Sequence, residues 1–377
     1  MIHLQFGGST AERTLQCPGW VNASKNIKPR PAGAAALEGS MHHAVQEKCR
    51  LTDTLPEEHV GLIYEEDGKS QTFTEDDVDL AKIAYAAADA ILDAHDVEEI
   101  YVEPFVQWVE GKRGGSIDLL GVSRDGKVAV LIDYKFGRVQ VDASKAQMPF
   151  YAVCAKKDPQ FAALLKDVET FHCVIIQPRG AGGTHSMTRV ELADFEVKMD
   201  QAIRIASGGT AARHVGSHCL YCPAAPYCSE KRYQAVEATL LDPKDHSALS
   251  NAADWLVEVE AWVKAVKEEM HHQLSRGVRV DGWKLVAKQG KRGWEDEAAL
   301  LAAARRAGLL KTLRKTSILS PAQAEKALKG RKFDLSAHIK PGSVGTTIAT
   351  SDDAREPVIV TDIVGALATL MDQKQDQ

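Results

Sequence analysis

Fourteen residues separate Asp118 from Asp133, and Lys135 follows the second by two. Between the aspartates lies Arg124-Asp125-Gly126-Lys127, and Asp-Gly is a strong signal for a tight hairpin loop. With Asp125-Gly126 as that loop, Arg124 faces Lys127 and Asp118 falls directly opposite Asp133. Their β-carbons are then roughly 4.5–5.5 Å apart, and the two-residue period of a strand sets Lys135 on the same face. Opposed carboxylates repel, and the apolar run Val128–Ile132 offers no relief. A hard divalent cation, Mg²⁺ or Mn²⁺, would supply it, and such an ion can polarise a phosphodiester and generate a hydroxide. Lys135 would then position the attacking water or stabilise charge on phosphorus. The alternative is two unrelated surface acids with a lysine ion pair, which leaves the shared register unexplained.

The elements that must hold this hairpin read as a mixed α/β fold. Apolar spacing predicts helices over residues 36–50 and 75–95, the second opening with acids that suit the helix dipole. Strands follow as EIYVEPFVQWV, SIDLLGV and VAVLIDYK. A helix is expected from about Asp142 to Ala155, where Pro149 requires a kink or a late start. A further strand, FHCVIIQP or THSMTRVEL, and a helix near 191–206 complete an α/β core with a mixed sheet. Residues 1–35 read as irregular, punctuated by Gly7-Gly8, Cys17-Pro18-Gly19 and Pro29-Arg30-Pro31. Beyond the core, 247–275 is a long amphipathic helix and 295–330 a helical, basic region.

Seven cysteines divide into two kinds. Cys49, Cys154 and Cys173 sit singly in apolar contexts and read as packing. Cys219, Cys222 and Cys228 crowd into ten residues and supply three thiolates, one short of the four that tetrahedral zinc or a [4Fe–4S] cluster takes. The fourth ligand is either Cys17 or, for a Cys₃His zinc site, His214 or His218.

The 377 residues, 44% hydrophobic and 26% charged, are ordinary for a globular chain, and no stretch reaches the apolar length of a membrane span. The opening MIHLQFGGST lacks the basic and apolar regions of a signal peptide, so a reducing cytoplasm without structural disulfides is expected. The net charge of −6 hides a basic stretch: residues 282–333 hold thirteen lysines and arginines against four acids. Such a local excess favours a phosphate-contacting face over a merely solvated one. Within it, Trp283 to Trp294 reads as a hairpin whose rings either stack on unpaired bases or anchor it to its own helices.

The string GGSIDLLGV…VLIDYKFGR resembles the core motif of RecB-like nucleases of the PD-(D/E)XK superfamily. That resemblance implies a restriction-endonuclease-like core with a mixed central sheet flanked by helices. It also implies roles for further residues. Gln147 and Tyr151, in AQMPFYA, match a helix in which the Gln helps hold the catalytic lysine or the DNA backbone. His43, closing Gly39-Ser40-Met41-His42-His43, takes the position of a metal ligand beside Asp118, Asp133 and the Tyr134 backbone carbonyl. Glu103 matches an acid placed next to the ligands rather than among them. A subset of these nucleases carries one cysteine before the histidine motif and three at the end of the domain, which implies that Cys17, Cys219, Cys222 and Cys228 hold a [4Fe–4S] cluster, with Zn²⁺ the alternative.

Residues 1–370 as a whole resemble phage-encoded RecB-like exonucleases, through S-x-x-x-R…C-P, VDASKAQMPFYA and S-D-D-A-R-E-P. The expectation is a nuclease domain over 1–235 with a cysteine–metal staple, followed by a helical, basic, DNA-contacting region over 236–377. Its activity would be metal-dependent DNA exonuclease action in phage recombination or processing, in host cytoplasm, beside a single-strand annealing or recombination protein. The rival expectation is a non-catalytic DNA-binding or assembly protein that retains the fold.

Overall fold

The computed structural model describes residues 4–27, 33–240, 244–288, 293–313, 318–340, 345–350, 353 and 355–358. It divides into two compact units, Met1–Trp262 and Val263–Gln377. The first opens with α1 (Gly8–Gln16), α2 (Trp20–Ser24) and α3 (Ala34–Thr52), then a small ribbon of β1 (Ile63–Glu66) and β2 (Lys69–Thr72). Next come α4 (Glu75–Ala94), β3 (Val97–Val102), β4 (Phe105–Val109), β5 (Arg113–Ser116), β6 (Leu119–Ser123) and β7 (Val128–Tyr134). The unit closes through α5 (Gln147–Lys157), β8 (Thr170–Ile176), β9 (Gly183–Thr188), α6 (Arg189–Ser207) and α7 (Ser229–Thr239), and α8 (His246–Ser275) carries the chain across the boundary.

The central sheet has the order β3-β6-β7-β8-β9, with β7 and β8 parallel and the other pairs antiparallel. It is a mixed sheet, as expected. Strand β7 is nearly uninterrupted in apolar character because both of its faces are covered. Ala129 and Leu131 pack toward α1, α5 and α6, through Ala11, Phe150, Val153, Leu192 and Met199. Val130, Ile132 and Tyr134 pack on the opposite face against Ala84, Ala88 and Leu92 of α4. The sheet is thus a layer between helices, and its hydrophobic contacts fix which face each β7 side chain takes.

The β6–β7 register is the one the sequence predicts: Leu119 pairs with Ile132, Leu120 with Leu131, Gly121 with Val130 and Val122 with Ala129. The loop is wider than two residues but centred on the same pair. The Gly126 N–H donates to the Ser123 carbonyl, Gly126 takes a left-handed φ of 72°, and the Asp125 carboxylate accepts from the Lys127 N–H. Helix α5 starts late, at Gln147, so Pro149 sits in its first turn, where the missing N–H breaks no helical bond.

Three expectations are corrected. The strand EIYVEPFVQWV is broken: Pro104 cannot donate to a ladder and Glu103 has a φ of 49°, so β3 joins the central sheet while β4 pairs with β5 in a separate ribbon. Both FHCVIIQP and the first half of THSMTRVEL form strands, β8 and β9, side by side, while residues 189–192 already belong to α6. Residues 1–35 are not irregular throughout, since α1 and α2 form there; burial of Ala11 and Thr14 outweighs the weak helix propensity of Gly8, Ser9 and Thr10. Pro29, Arg30 and Pro31 lie outside the described residues.

The second unit is not purely helical. Helices α9 (Glu297–Arg306), α10 (Leu310–Leu313) and α11 (Pro321–Ala327) enclose Leu300, Leu313 and Leu328. Strand β10 (Trp283–Lys288) pairs with β13 (Gly345–Thr350), and β11 (Gly293–Trp294) with β12 (Ile339–Lys340). The two tryptophan segments therefore do not pair with each other as a hairpin, because each finds a distant strand. Trp294 anchors to its own unit, its indole N–H donating to the Leu319 carbonyl at 3.0 Å. Residues 289–292 and 314–317, with Lys291, Arg292, Arg314 and Lys315, lie outside the described residues. Among the described residues no helix is long and apolar enough to cross a membrane.

Candidate active site

Asp133 is the penultimate residue of β7 and lies in its buried run, and the register continued one step beyond β6 brings Asp118 across from it. Both are buried, at 4% and 8% exposure. The Tyr134 N–H donates to Asp118 Oδ2. The other Asp118 oxygen, Oδ1, lies 3.1 Å from His43 Nδ1. His43 reaches it from α3, which is held down by Leu37, Met41, Val45 and Cys49 at four-residue spacing. Asp133 Oδ1 accepts from Gln147 Nε2 at 2.8 Å, while Asp133 Oδ2 faces Lys135 Nζ at 2.5 Å and has no other partner among the described residues. Asp118, Asp133, Lys135, His43 and Gln147 are thus gathered at one end of the sheet.

Tyr151, one turn after Gln147, is wedged between α1 and β5. A Cβ placed on Gly8 would meet its ring at 2.4 Å, and one on Gly115 at 2.9 Å. Its contribution is to fix α5, and hence Gln147, against the sheet. Tyr134 gives its backbone to the site while its ring packs among Ile132, Val174 and Phe136 on the opposite face.

Glu103 is closer in than the sequence indicated. Its N–H donates to the Asp118 carbonyl at 2.9 Å, and its carboxylate joins His43 and Asp118 in a set of ligand atoms all within 4.8 Å of one another. Asp133 lies outside this set, held by Gln147 and Lys135. The left-handed φ of Glu103, costly for a residue with a side chain, turns the carboxylate inward where a continuing strand would not. The resemblance set it beside the ligands rather than among them.

The electrostatics describe a site waiting for positive charge. Burial, then the neighbouring Asp118, pushes the Glu103 carboxyl up to about 9. Burial also raises Asp133, opposed by Lys135 and reinforced by Asp118. Asp118 is held below the ordinary carboxylate range: burial opposes its charge, but His43, Lys135 and the Tyr134 N–H outweigh it. His43 and Lys135 are both raised, since the aspartates overcome the cost of burying a cation. Two carboxylates and an imidazole, converging beside the Asp133–Lys135 pair, suit a hard divalent ion of the Mg²⁺ or Mn²⁺ class.

The family model described as "Protein of unknown function (DUF2800)" matches residues 3–356. The chain belongs to the DUF2800 family. No curated protein matches it. Among solved structures it is similar to the crystal structure of protein VC1899 from Vibrio cholerae, at 13% identity over 55% of this chain and with a TM-score of 0.17. It spans 59% of the length of that protein.

This DUF2800 chain carries a second constellation. Cys17, after α1, and Cys219, Cys222 and Cys228, before α7, wall one cavity together with Arg13, Trp20, His214 and Lys231. Cys17 Sγ accepts from the His214 N–H at 3.3 Å. Burial pushes the Cys219 thiol up to about 11 and raises Cys17 and Cys222 as well. Cys17 and Cys219 are buried and Cys222 and Cys228 half-buried, beside the buried Arg13 guanidinium and a Lys231 ammonium that pairs with Glu258 at 2.5 Å. Both ring nitrogens of His218 are engaged, by Gln16 and the His214 carbonyl, which makes it a poor fourth ligand. Cys49, Cys154 and Cys173 are fully buried in the apolar cores.

Proposed function

We propose that this chain is a Mg²⁺- or Mn²⁺-dependent deoxyribonuclease of the RecB-like PD-(D/E)XK type. The observation that carries the reading is the convergence of His43, Glu103 and Asp118 beside an Asp133–Lys135 pair whose second carboxylate oxygen is fixed by Gln147. His43, Glu103, Asp118, Asp133 and the Tyr134 carbonyl would hold the ion, which supplies polarisation of the phosphodiester and activation of water. Lys135, oriented by Asp133, positions that water and meets the charge growing on the phosphate oxygens. Gln147 keeps Asp133 from rotating, and Tyr151 keeps α5 in place.

The four cysteines are proposed to bind a [4Fe–4S] cluster, with Zn²⁺ the alternative. It would tie the start of the domain to its end, a long closure for which a metal clip is effective. Arg305, Arg306, Lys311, Lys326, Lys329, Arg331 and Lys332 are exposed on the second unit, which supports DNA as the partner. An exonuclease role in phage recombination, beside a single-strand annealing protein, is the biological setting proposed.

The test is digestion of end-labelled linear and circular DNA with Mg²⁺ or Mn²⁺ by anaerobically prepared protein. Asp133→Ala and Lys135→Ala should each abolish degradation, and circles should be spared. Absence of cleavage by metal-loaded wild type on every substrate would remove the catalytic claim in favour of a DNA-binding scaffold.

A further inference from the structure

A second set of potential ligands lies one residue from His43 but on another face of α3. His42 is 0% exposed, and among the described residues neither of its ring nitrogens has a hydrogen-bond partner. The imidazole is clamped: it stacks on Phe136 at 4.4 Å and meets Phe73 edge-on at 5.8 Å. Its Nε2 points at Asp77 Oδ1, 3.6 Å away, too far for a hydrogen bond. Glu38, one turn earlier on α3, completes a set in which carboxylate, imidazole and carboxylate atoms all lie within 4.8 Å of one another.

Each acid has one oxygen committed elsewhere and one left over. Asp77 Oδ2 accepts from the Thr74 N–H and hydroxyl, which caps α4 and leaves Oδ1 toward His42. Glu38 Oε1 pairs with Arg179, whose other guanidinium nitrogen donates to the Phe136 carbonyl. Orphaned buried nitrogens cost folding free energy unless something occupies them. A metal ion needs the neutral imidazole. Ligand atoms about 2.1 Å from a tetrahedral ion stand about 3.4 Å apart, close to the spacing already present between His42 and Asp77. Glu38 and Asp77 remain partly exposed, which leaves solvent access for entry and for a water ligand.

We propose that Glu38, His42 and Asp77 form a second divalent-metal site, distinct from the carboxylate centre, for a transition ion of the Mn²⁺ or Zn²⁺ class. One nitrogen with two oxygens suits that class better than Mg²⁺ or Ca²⁺. The ion would pin α3 to the start of α4.

The probe is Mn²⁺, counted by loss of the free-ion electron paramagnetic resonance signal, since Mn²⁺ has little appetite for the cysteine thiolates. The protein is the full chain, anaerobically prepared and carrying Asp118→Asn and Asp133→Asn, which silences the first centre. One bound equivalent is expected to remain. His42→Phe, which keeps the aromatic stacking, and separately Glu38→Gln, on the partly exposed rim, should each weaken it at least tenfold while the metal-free melting temperature shows the fold intact. The proposal is overturned if the silenced protein binds no Mn²⁺ up to millimolar concentration, or if neither folded variant alters the binding. Because the first centre is silenced throughout, failure here leaves the nuclease reading untouched.

Discussion

Gln147 and Asp133 meet side chain to side chain at 2.8 Å, and the bond joins the first residue of α5 to the last turn-inward position of β7. The late start forced by Pro149 is what brings Gln147 to that place. A residue in mid-helix would have its backbone satisfied and its side chain further along; at the helix start it points back over the strand end.

Gln147→Ala therefore frees Asp133 to rotate without removing any ion ligand. Outer partners of this kind cost roughly 10–100-fold in activity or metal affinity when deleted. The expected result is a loss of that size in DNA cleavage with an unchanged melting temperature. Activity equal to wild type would show that Lys135 alone fixes the carboxylate.

Glu103 gives the metal-free protein an unusual pH dependence. Its folded-state carboxyl titrates near 9, far above the ordinary range, so folding takes up a proton at this residue. Stability is then greatest at low pH and falls as pH rises from the unfolded carboxylate value toward 9. His43, raised by Asp118, acts in the same direction above its own unfolded value. Urea midpoints between pH 5 and 9, a range set by these groups, should decline for wild type and flatten for Glu103→Gln. Divalent-ion affinity should rise over the same range, because the ion displaces those protons.

Gly8→Ala is expected to destabilise, although alanine favours helices. The new Cβ would stand 2.4 Å from the Tyr151 ring, and overpacking of this kind costs about 1–3 kcal/mol. Chemical denaturation measures the loss, and a parallel drop in cleavage would show that displacing Tyr151 also displaces Gln147. A gain in stability would mean the ring has room to move.

Cys222→Ser tests the cysteine cavity by colour and by iron content. Brown wild-type protein with iron and sulfide, bleached by the substitution, supports the cluster. Colourless wild type containing zinc supports the alternative, and protein free of both elements removes the metal staple altogether.

Much of the centre was legible because a sheet has a strict period. Once Asp125-Gly126 was read as the middle of a loop, the positions of Asp118, Asp133 and Lys135 followed from counting, and the wider loop did not alter it since it is symmetric about the same pair. Glu103 was placed too far out because its position depends on a left-handed φ, which no side-chain pattern encodes. The pairing of β10 with β13 was hidden for a different reason: partners more than fifty residues apart leave no local trace, whereas Trp283 and Trp294 do. Helix α1 was missed because its support comes from α5 and α6 rather than from its own Gly, Ser and Thr.

The cysteine cavity also sets an order on biosynthesis. Cys17 leaves the ribosome about two hundred residues ahead of Cys228, so its partners are missing for roughly 10–40 s at 5–20 residues per second. Through that interval the proposed four-cysteine site stays incomplete, while α5 and α6, which support α1, are finished before Cys219 emerges. The nascent chain thus passes a long stage with its central sheet synthesised but the proposed cysteine site still open. If the proposed cysteine site holds a metal, chains made without it should be cut by protease near residues 17–27 while the central sheet survives.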